Sequence, residues 1–325
     1  MTRTNPPAVA TAVKKSRFKK YNSRAIRNDF RRHWVDYIMV LPTFLFFIIF
    51  SYFPMYGILM AFSDYKPKLG IMGSLFQNFV GLEHFQEFFS GIYAGRTIGN
   101  TIILSVLSLA ISFPAAIILA LLLNEVKNKW FSKTVSTVMY LPHFISMVIL
   151  AGILVDFCRT DGVLGSLVAS LTGKSQNLLS VPGYWRPLYI GSGLWATLGF
   201  SSIMYIAAIS GVDKELYEAA ALDGAGYFKR MWHVTLPGIM NTIIIMLIMR
   251  VGSLMAMGAD KTILLYNSQI YKTADIIASY VYRRGLIDGD YSFSTAVGIF
   301  NSIINLLLII VTNKLAKKYS EYSLF

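Results

Sequence analysis

The feature that most constrains the fold of this chain is a set of long segments without Asp, Glu, Lys or Arg. Five of them are longer than 20 residues: 37–63, 97–124, 134–155, 187–212 and 293–313. A sixth, 236–259, carries one charge, Arg250. A helix of about 20 apolar residues crosses a bilayer core about 30 Å thick. Because lipid cannot bond free backbone groups, these segments predict an all-α, polytopic membrane protein with six transmembrane helices.

Composition narrows the class of protein further. Only 14% of the 325 residues are charged, compared with about 25% in soluble domains, which argues against a disordered chain and against a water-soluble enzyme. The single cysteine excludes a disulfide framework and a cysteine-ligated metal site within the chain. The four histidines fall in unrelated segments. We therefore predict no catalytic residue, no metal site and no cofactor in this chain.

The Lys and Arg residues predict the orientation in the membrane. With six spans, the two termini and two of the loops share one side, which holds 19 basic residues against 10 on the other side. Both termini are therefore predicted to be cytoplasmic. The predicted organisation is a basic arm at 1–36, a six-helix domain at 37–313 and a tail at 314–325. The net charge of +13 is then mainly topogenic and does not indicate nucleic-acid binding.

The cytoplasmic segment 213–237 is too long for a turn and too polar to span the membrane. It is predicted to form two short helices, with Asp213 as the N-cap of the first. Gly224 and Gly226 are expected to end that helix where a left-handed residue is needed. Such a projection between two spans could transmit a push from another protein, or it could only pack against its own bundle.

Three motifs in this segment carry a resemblance to a known family. Glu218-Ala219-Ala220, Asp223-Gly224-Ala225 and Leu236-Pro237 resemble the EAA loop of the membrane subunits of bacterial ATP-binding-cassette (ABC) importers. In that family the loop is a coupling helix that docks in a cleft of the ATPase subunit. The resemblance implies that ATPase coupling depends on Glu218, Ala219, Ala220, Asp223 and Gly224, with Leu236 and Pro237 as the hinge to span five. One departure is Val234, where the family usually has Ile.

The rest of the chain resembles the carbohydrate branch of these permeases of the type I importer fold. The motifs are Phe79-Val80-Gly81-Leu82, Tyr140-Leu141-Pro142-His143-Phe144-Ile145-Ser146 and Tyr282-Arg283-Arg284-Gly285-Leu286. They are most similar to permeases for oligosaccharides from plant or algal polysaccharides, including alginate. The resemblance implies a second, similar permease, two ATPase subunits that bind ATP and Mg²⁺, an external solute-binding protein, and a location in the cytoplasmic (inner) membrane.

Three other functions are alternatives to an importer subunit. An intramembrane enzyme would need paired polar residues at matched depth, and the spans carry no acid, base or ligand cluster apart from Arg250. A channel would not need the docking loop, and a permease for another small solute remains an alternative. Gly173-Lys174-Ser175 resembles the end of a phosphate-binding loop, but Val168 stands where that motif needs glycine.

The sugar path is predicted among spans three to six. Sugar rings stack their C–H faces on aromatic rings and pair their hydroxyls with polar groups, which makes Tyr140, Trp195, Tyr205 and Asn301 candidates. Each of them could instead serve helix packing.

Arg250 is the charge inside a predicted span, and a cation there is expected to face the bundle or a wet cavity. One interpretation is a structural ion pair with Asp156. The other is a cation on the translocation path that favours an acidic, uronate-containing oligosaccharide.

Overall fold

The computed structural model describes residues 32–319, and this part of the chain is helical almost throughout. Its β-type backbone pairing is limited to one isolated bridge, between Ser63 and Phe79. The chain divides between Tyr56 and Gly57 into two compact units. Most of the predicted arm 1–36, and the end of the predicted tail 314–325, lie outside the described residues.

The main α-helices follow one another along the chain with short connections. They are α1 (Trp34–Phe47), α2 (Gly70–Gln77), α3 (Glu83–Ser90), α4 (Ala94–Glu125), α5 (Lys129–Tyr140), α6 (Met147–Cys158), α7 (Val163–Thr172), α8 (Pro182–Ser210), α9 (Lys214–Leu222), α10 (Tyr227–Arg230), α11 (Met240–Gly252), α12 (Ala259–Leu265), α13 (Tyr271–Ala274), α14 (Ile277–Tyr282) and α15 (Tyr291–Tyr319). Four of them continue directly into further helical segments: α1 through Ile48–Tyr52 and Phe53–Phe62, α5 into Leu141–Phe144, α10 through Met231–Thr235 into Leu236–Gly238, and α14 into Arg283–Ile287.

The candidate membrane spans agree with the predicted number. Four unbroken helices are long and apolar enough: Trp34–Phe62, Ala94–Glu125, Pro182–Ser210 and Tyr291–Lys318. Two more spans are pairs of helices with a sharp bend, Lys129–Phe144 with Met147–Thr172 and Tyr227–Gly238 with Met240–Gly252. Counting each bent pair as one span gives six in the part of the chain that the structure describes.

Pro142 lies inside the predicted span 134–155, where a proline is expected to kink the helix, and the third span is bent there. Pro142 lies in the 3-10 turn Leu141–Phe144 that follows α5, and the helices on either side of the break differ in direction by 98°. Ser146 starts α6 afresh, because its hydroxyl accepts a hydrogen bond from the Ile149 N–H at 3.3 Å. Proline thus marks the place of the bend, and the new N-cap makes it a break between two helices.

Helix α4 is the central element of the unit that begins at Gly57, and three apolar clusters lie along it. Near its N-terminus Ala94 packs with Phe88 of α3 and Phe293 of α15. Further along, Leu104 belongs to the cluster around the fully buried Trp185 of α8. Near its C-terminus, Ala116, Ala120 and Leu121 pack with Tyr205, Ile209 and Ile239. The residues of α4 between these clusters include Arg96, Ser105, Ser108 and Ser112, which line cavities.

Candidate functional site

The segment 213–237, here called the coupling loop, begins and ends its first helix as the sequence predicts. A side-chain oxygen of Asp213 accepts a hydrogen bond from the Glu215 N–H at 3.0 Å and caps α9. At the other end Gly224 has a φ of +74°. The N–H groups of Gly224 and Ala225 donate to the carbonyls of Ala221 and Ala220 at 3.1 and 2.9 Å. This is a Schellman motif, which needs a left-handed residue at its centre.

Two details of the coupling loop differ from the prediction. Gly226 has a φ of −70° and is the extended N-cap of α10, so it is not left-handed. Leu236 and Pro237 do not open the fifth span, because they lie in the last turn of Tyr227–Gly238. The chain breaks at Ile239, and the next helix turns by 64°. The break therefore lies two residues beyond the predicted hinge.

Large apolar side chains of the coupling loop are exposed on the surface of the chain. Leu222 is 90% exposed, Phe228 83% and Trp232 66%. Of the residues predicted to form the dock, Glu218, Ala219, Asp223 and Gly224 are exposed and Ala220 is half-buried. A projection that exposes several large apolar side chains is typical of a protein-protein contact. We call these exposed residues together the docking patch.

A hydroxyl pair joins the two helices of the coupling loop. The Tyr217 O–H lies 3.0 Å from Oγ1 of Thr235, which is buried.

Replacing Tyr217 by phenylalanine removes this hydrogen bond and keeps the ring. We expect a loss of about 1 kcal/mol in the local stability of the loop, seen as faster amide hydrogen exchange over α9, with unchanged exchange in α4. Unchanged exchange in α9 would show that the pair does not hold the two helices together.

A cavity of about 520 Å³ lies among α4, α8, α11 and α12 and is called here the transport cavity. Its polar lining comes from Ser105, Ser108, Ser112, Tyr189, Thr197, Ser201, Tyr205, Arg250, Ser253 and Lys261. The three serines of α4 are spaced by three and four residues, so they share one helix face. Among the described residues that line this cavity, two are cationic and none carries a carboxylate.

Arg250 reaches the transport cavity near the end of α11. Its Nη2 lies 3.4 Å from the Ser201 hydroxyl, and the side chain remains exposed. The predicted ion pair with Asp156 is wrong: within residues 32–319 no carboxylate lies within 4.0 Å of Arg250, and Asp156 is exposed on α6. A guanidinium without a carboxylate partner keeps its donors available for an anionic ligand.

Lys261 is the second cation of the transport cavity, and it is buried. Its ammonium donates to the Tyr189 carbonyl and lies 4.3 Å from the centre of the Tyr189 ring. Burial lowers the pKa of Lys261 to about 8, because removing a cation from water disfavours its charged form. Lys261 follows the fifth predicted span, 236–259, and is not among the site residues predicted from the sequence. In the sequence, a lysine that follows a span does not indicate that the chain folds back against α8.

The other predicted path residues are placed differently. Tyr205 lines the transport cavity, where its ring meets Phe113 edge to face at 6.2 Å. The lining does not include Tyr140, Trp195 or Asn301. Tyr140 lies where α5 approaches Gly199 closely, Asn301 donates to the Met255 carbonyl at 3.0 Å, and Trp195 is half-exposed.

Asn305 makes a second hydrogen bond to the backbone of Met255. Its side-chain oxygen accepts from the Met255 N–H at 2.9 Å. Together with Asn301 it fixes the chain between α11 and α12, so the contacts of Asn301 are those of a residue that holds helices together.

Comparison with known proteins places these features in context. Residues 112–321 match the family of the binding-protein-dependent transport system inner membrane component. Protein LplB of Bacillus subtilis (strain 168) is 43% identical, over 91% of this chain and 92% of LplB. The polygalacturonan/rhamnogalacturonan transport system permease protein YteP of the same organism is 41% identical, over 98% of both chains.

Solved structures give the same picture. The chain is similar, with a TM-score of 0.82 and 39% identity, to a bacterial ABC transporter involved in the import of the acidic polysaccharide alginate. The similarity covers 90% of this chain and 99% of the other. A second structure, with the same TM-score and identity, is the alginate ABC transporter in complex with its alginate pentasaccharide-bound periplasmic protein.

Proposed function

The chain belongs to the family of binding-protein-dependent transport system inner membrane components, and we propose that it carries acidic oligosaccharides through the cavity lined by Arg250 and Lys261. It is a membrane-embedded permease of a sugar-importing ABC transporter. The charges that line the transport cavity indicate which class of sugar it can bind.

The observation that carries the proposal is that the described residues of the lining include two cations and no carboxylate. A uronate brings one negative charge per sugar ring, and a guanidinium binds a carboxylate through paired hydrogen bonds. Serine and threonine hydroxyls both donate and accept, as sugar hydroxyls do. The substrates in the names of YteP and of the alginate transporter support the same class of ligand.

The partners follow from this role. A second, similar permease completes the membrane part, two ATPase subunits bind ATP and Mg²⁺, and a solute-binding protein delivers the sugar from outside. The periplasmic protein in the alginate transporter complex supports the last of these. This chain is the non-catalytic subunit and lies in the cytoplasmic (inner) membrane, with both termini in the cytoplasm.

The coupling loop is the contact with an ATPase subunit in this proposal. Its exposed apolar side chains and the exposed Glu218 and Ala219 form the surface that docks. Motion of the ATPase then reaches the transport cavity through Tyr227–Gly238 and α11, because Arg250 lies on α11.

A matched pair of ligands tests the acidic preference. Trigalacturonate and its fully methyl-esterified form have the same rings, but only the first is charged. The assay is equilibrium binding to the importer complex in lipid nanodiscs without the solute-binding protein, which has its own selectivity. We expect at least about tenfold weaker binding of the ester, because a charged hydrogen bond contributes about 1.5–3 kcal/mol. Equal affinity for both ligands would contradict the proposal.

A further inference from the structure

A second cavity lies at the N-terminal end of α4, where it meets α13 and α14. Its volume is about 600 Å³, and it is called here the outer cavity. The lining is aromatic and polar: Tyr93, Arg96, Ser268, Gln269, Tyr271, Lys272, Tyr280, Arg283, Arg284 and Asp288, with Ile287 as the apolar exception. Under the orientation proposed above, this end of α4 faces the outside of the cell.

A set of partly buried polar contacts lies along α4 between the residues that line the two cavities. Along α4, Arg96 lines the outer cavity and Ser105 the transport cavity, about 13 Å further on by helical rise. Between them, Asn100 accepts from Arg186 at 3.1 Å and donates to the Asp275 carbonyl at 3.0 Å. The Asp275 carboxylate is fully buried. We call these contacts the Asp275 layer.

Two guanidinium groups hold the Asp275 carboxylate from the side of the outer cavity. Arg283 binds both carboxylate oxygens, at 2.9 and 2.7 Å, and Arg96 binds one of them at 3.1 Å. These contacts keep both guanidiniums in place under the outer cavity.

The charges around the outer cavity are nearly balanced. Arg284 pairs with Glu87 at 2.9 Å and with Asp290 at 3.0 Å. Lys272 is exposed and has no carboxylate within 4.0 Å in the described part of the chain, whereas Asp288 adds a negative charge to the lining. Hydroxyl groups both donate and accept hydrogen bonds, so a lining with donors and acceptors is complementary to them. Such a lining is less complementary to a strongly acidic protein surface.

Aromatic rings supply the complementary apolar surface. Tyr93 is 42% exposed, and the Arg96 guanidinium lies 4.8 Å from its ring centre. Arg283 likewise lies 4.8 Å from the ring centre of Tyr271. Stacking on arginine holds each ring in one orientation. Fixed aromatic faces beside hydroxyl-binding groups can hold a sugar ring, whose C–H face is apolar and whose edge is polar.

We propose that the outer cavity is a second saccharide-binding site, which holds one end of the oligosaccharide on the outer side of the Asp275 layer. The proposal rests on the sugar-importing function and on the orientation given above. It does not depend on the acidic preference of the transport cavity, because stacking and hydroxyl contacts act on neutral and acidic rings alike.

Two variants of one residue test this site. Tyr93→Ala removes the ring face, and Tyr93→Phe keeps it. Phe76→Ala is the matched control, because Phe76 is 81% exposed on α2 and does not line the outer cavity. Calorimetric titration of trigalacturonate into the importer complex in nanodiscs, without the solute-binding protein, is expected to show two binding steps. Tyr93→Ala should weaken one of them about tenfold, a typical effect of losing an aromatic contact. Tyr93→Phe should weaken that step less than Tyr93→Ala does, and Phe76→Ala should weaken neither step.

The outcomes separate this proposal from the function of the transport cavity. Arg250→Gln should weaken the other step, so its failure to do so would count against the transport cavity alone. Unchanged titration in Tyr93→Ala would overturn the outer site. So would a Tyr93→Ala complex that binds trigalacturonate normally but binds the ligand-free solute-binding protein less tightly, since that result would assign the outer cavity to protein docking.

Discussion

An importer with Arg250→Gln is expected to take up an acidic oligosaccharide roughly tenfold to a hundredfold more slowly than the wild type. Glutamine retains hydrogen bonding but loses the charge, and hydrogen bonds to charged groups contribute about 1.5–3 kcal/mol. Arg250→Lys should fall between the two, because an ammonium keeps the charge without the paired geometry of guanidinium. The measurement is uptake of trigalacturonate by proteoliposomes that contain the complete importer.

The control for Arg250 is an exposed arginine elsewhere. Arg159 lies after α6, pairs with Asp161 at 3.4 Å and does not line the transport cavity, so Arg159→Gln should transport normally. Methyl-esterified trigalacturonate gives a second control, because its uptake should change little in Arg250→Gln. An equal loss of uptake for both ligands would show that Arg250 supports the bundle and does not select the substrate.

Gly224→Val is expected to reduce ligand-stimulated ATP hydrolysis at least tenfold while the subunit still inserts and assembles. An added Cβ would meet no atom within 4 Å, so crowding is not the cause. The cost comes from the φ of +74°, which an L-residue adopts at a penalty of about 1–2 kcal/mol. A β-branched side chain tolerates that conformation worst. We expect relief of this strain to turn the docking patch away from the proposed ATPase partner.

Gly226 provides the matched control for Gly224. It lies two residues away, has a φ of −70° and likewise has no atom within 4 Å of an added Cβ. Gly226→Ala should keep wild-type hydrolysis, and Gly224→Ala should show a weaker form of the valine effect. Stimulated hydrolysis at the wild-type rate in a purified Gly224→Val complex would remove the basis for a coupling role of this turn.

Much of the fold could be predicted from the sequence because lipid imposes a simple rule. A segment without charges and longer than 20 residues has few alternatives to a spanning helix. Each of the six predicted segments overlaps a candidate span when each bent pair of helices is counted as one span. The start and end of α9 were predictable for a similar reason, since Asp213 and Gly224 act through local backbone chemistry. Gly226 shows the limit of that reasoning, because a glycine also suits an extended N-cap.

The sites were harder to predict, because their residues come together only through tertiary packing. Arg250 and Tyr205 were identified from their chemistry, and both line the transport cavity. Asn301 has the right chemistry, but the backbone of Met255 uses it. Lys261 was not predicted because no periodic pattern in the sequence indicates that α12 packs against α8. The predicted Asp156 partner required two helices to meet at one depth. A kink at Pro142 is expected from the sequence, but the size of the bend, 98°, is not.

The Asp275 layer has a consequence for the resting cell. A passage wide enough for a sugar would also conduct protons and small ions, and a standing leak would dissipate the membrane potential. Here a carboxylate with no exposed surface is shared by two guanidiniums, and separating such a group from one partner costs about 3–5 kcal/mol. We expect that penalty to oppose opening of the layer between transport cycles, so that sugar import need not discharge the ion gradients on which other transporters depend.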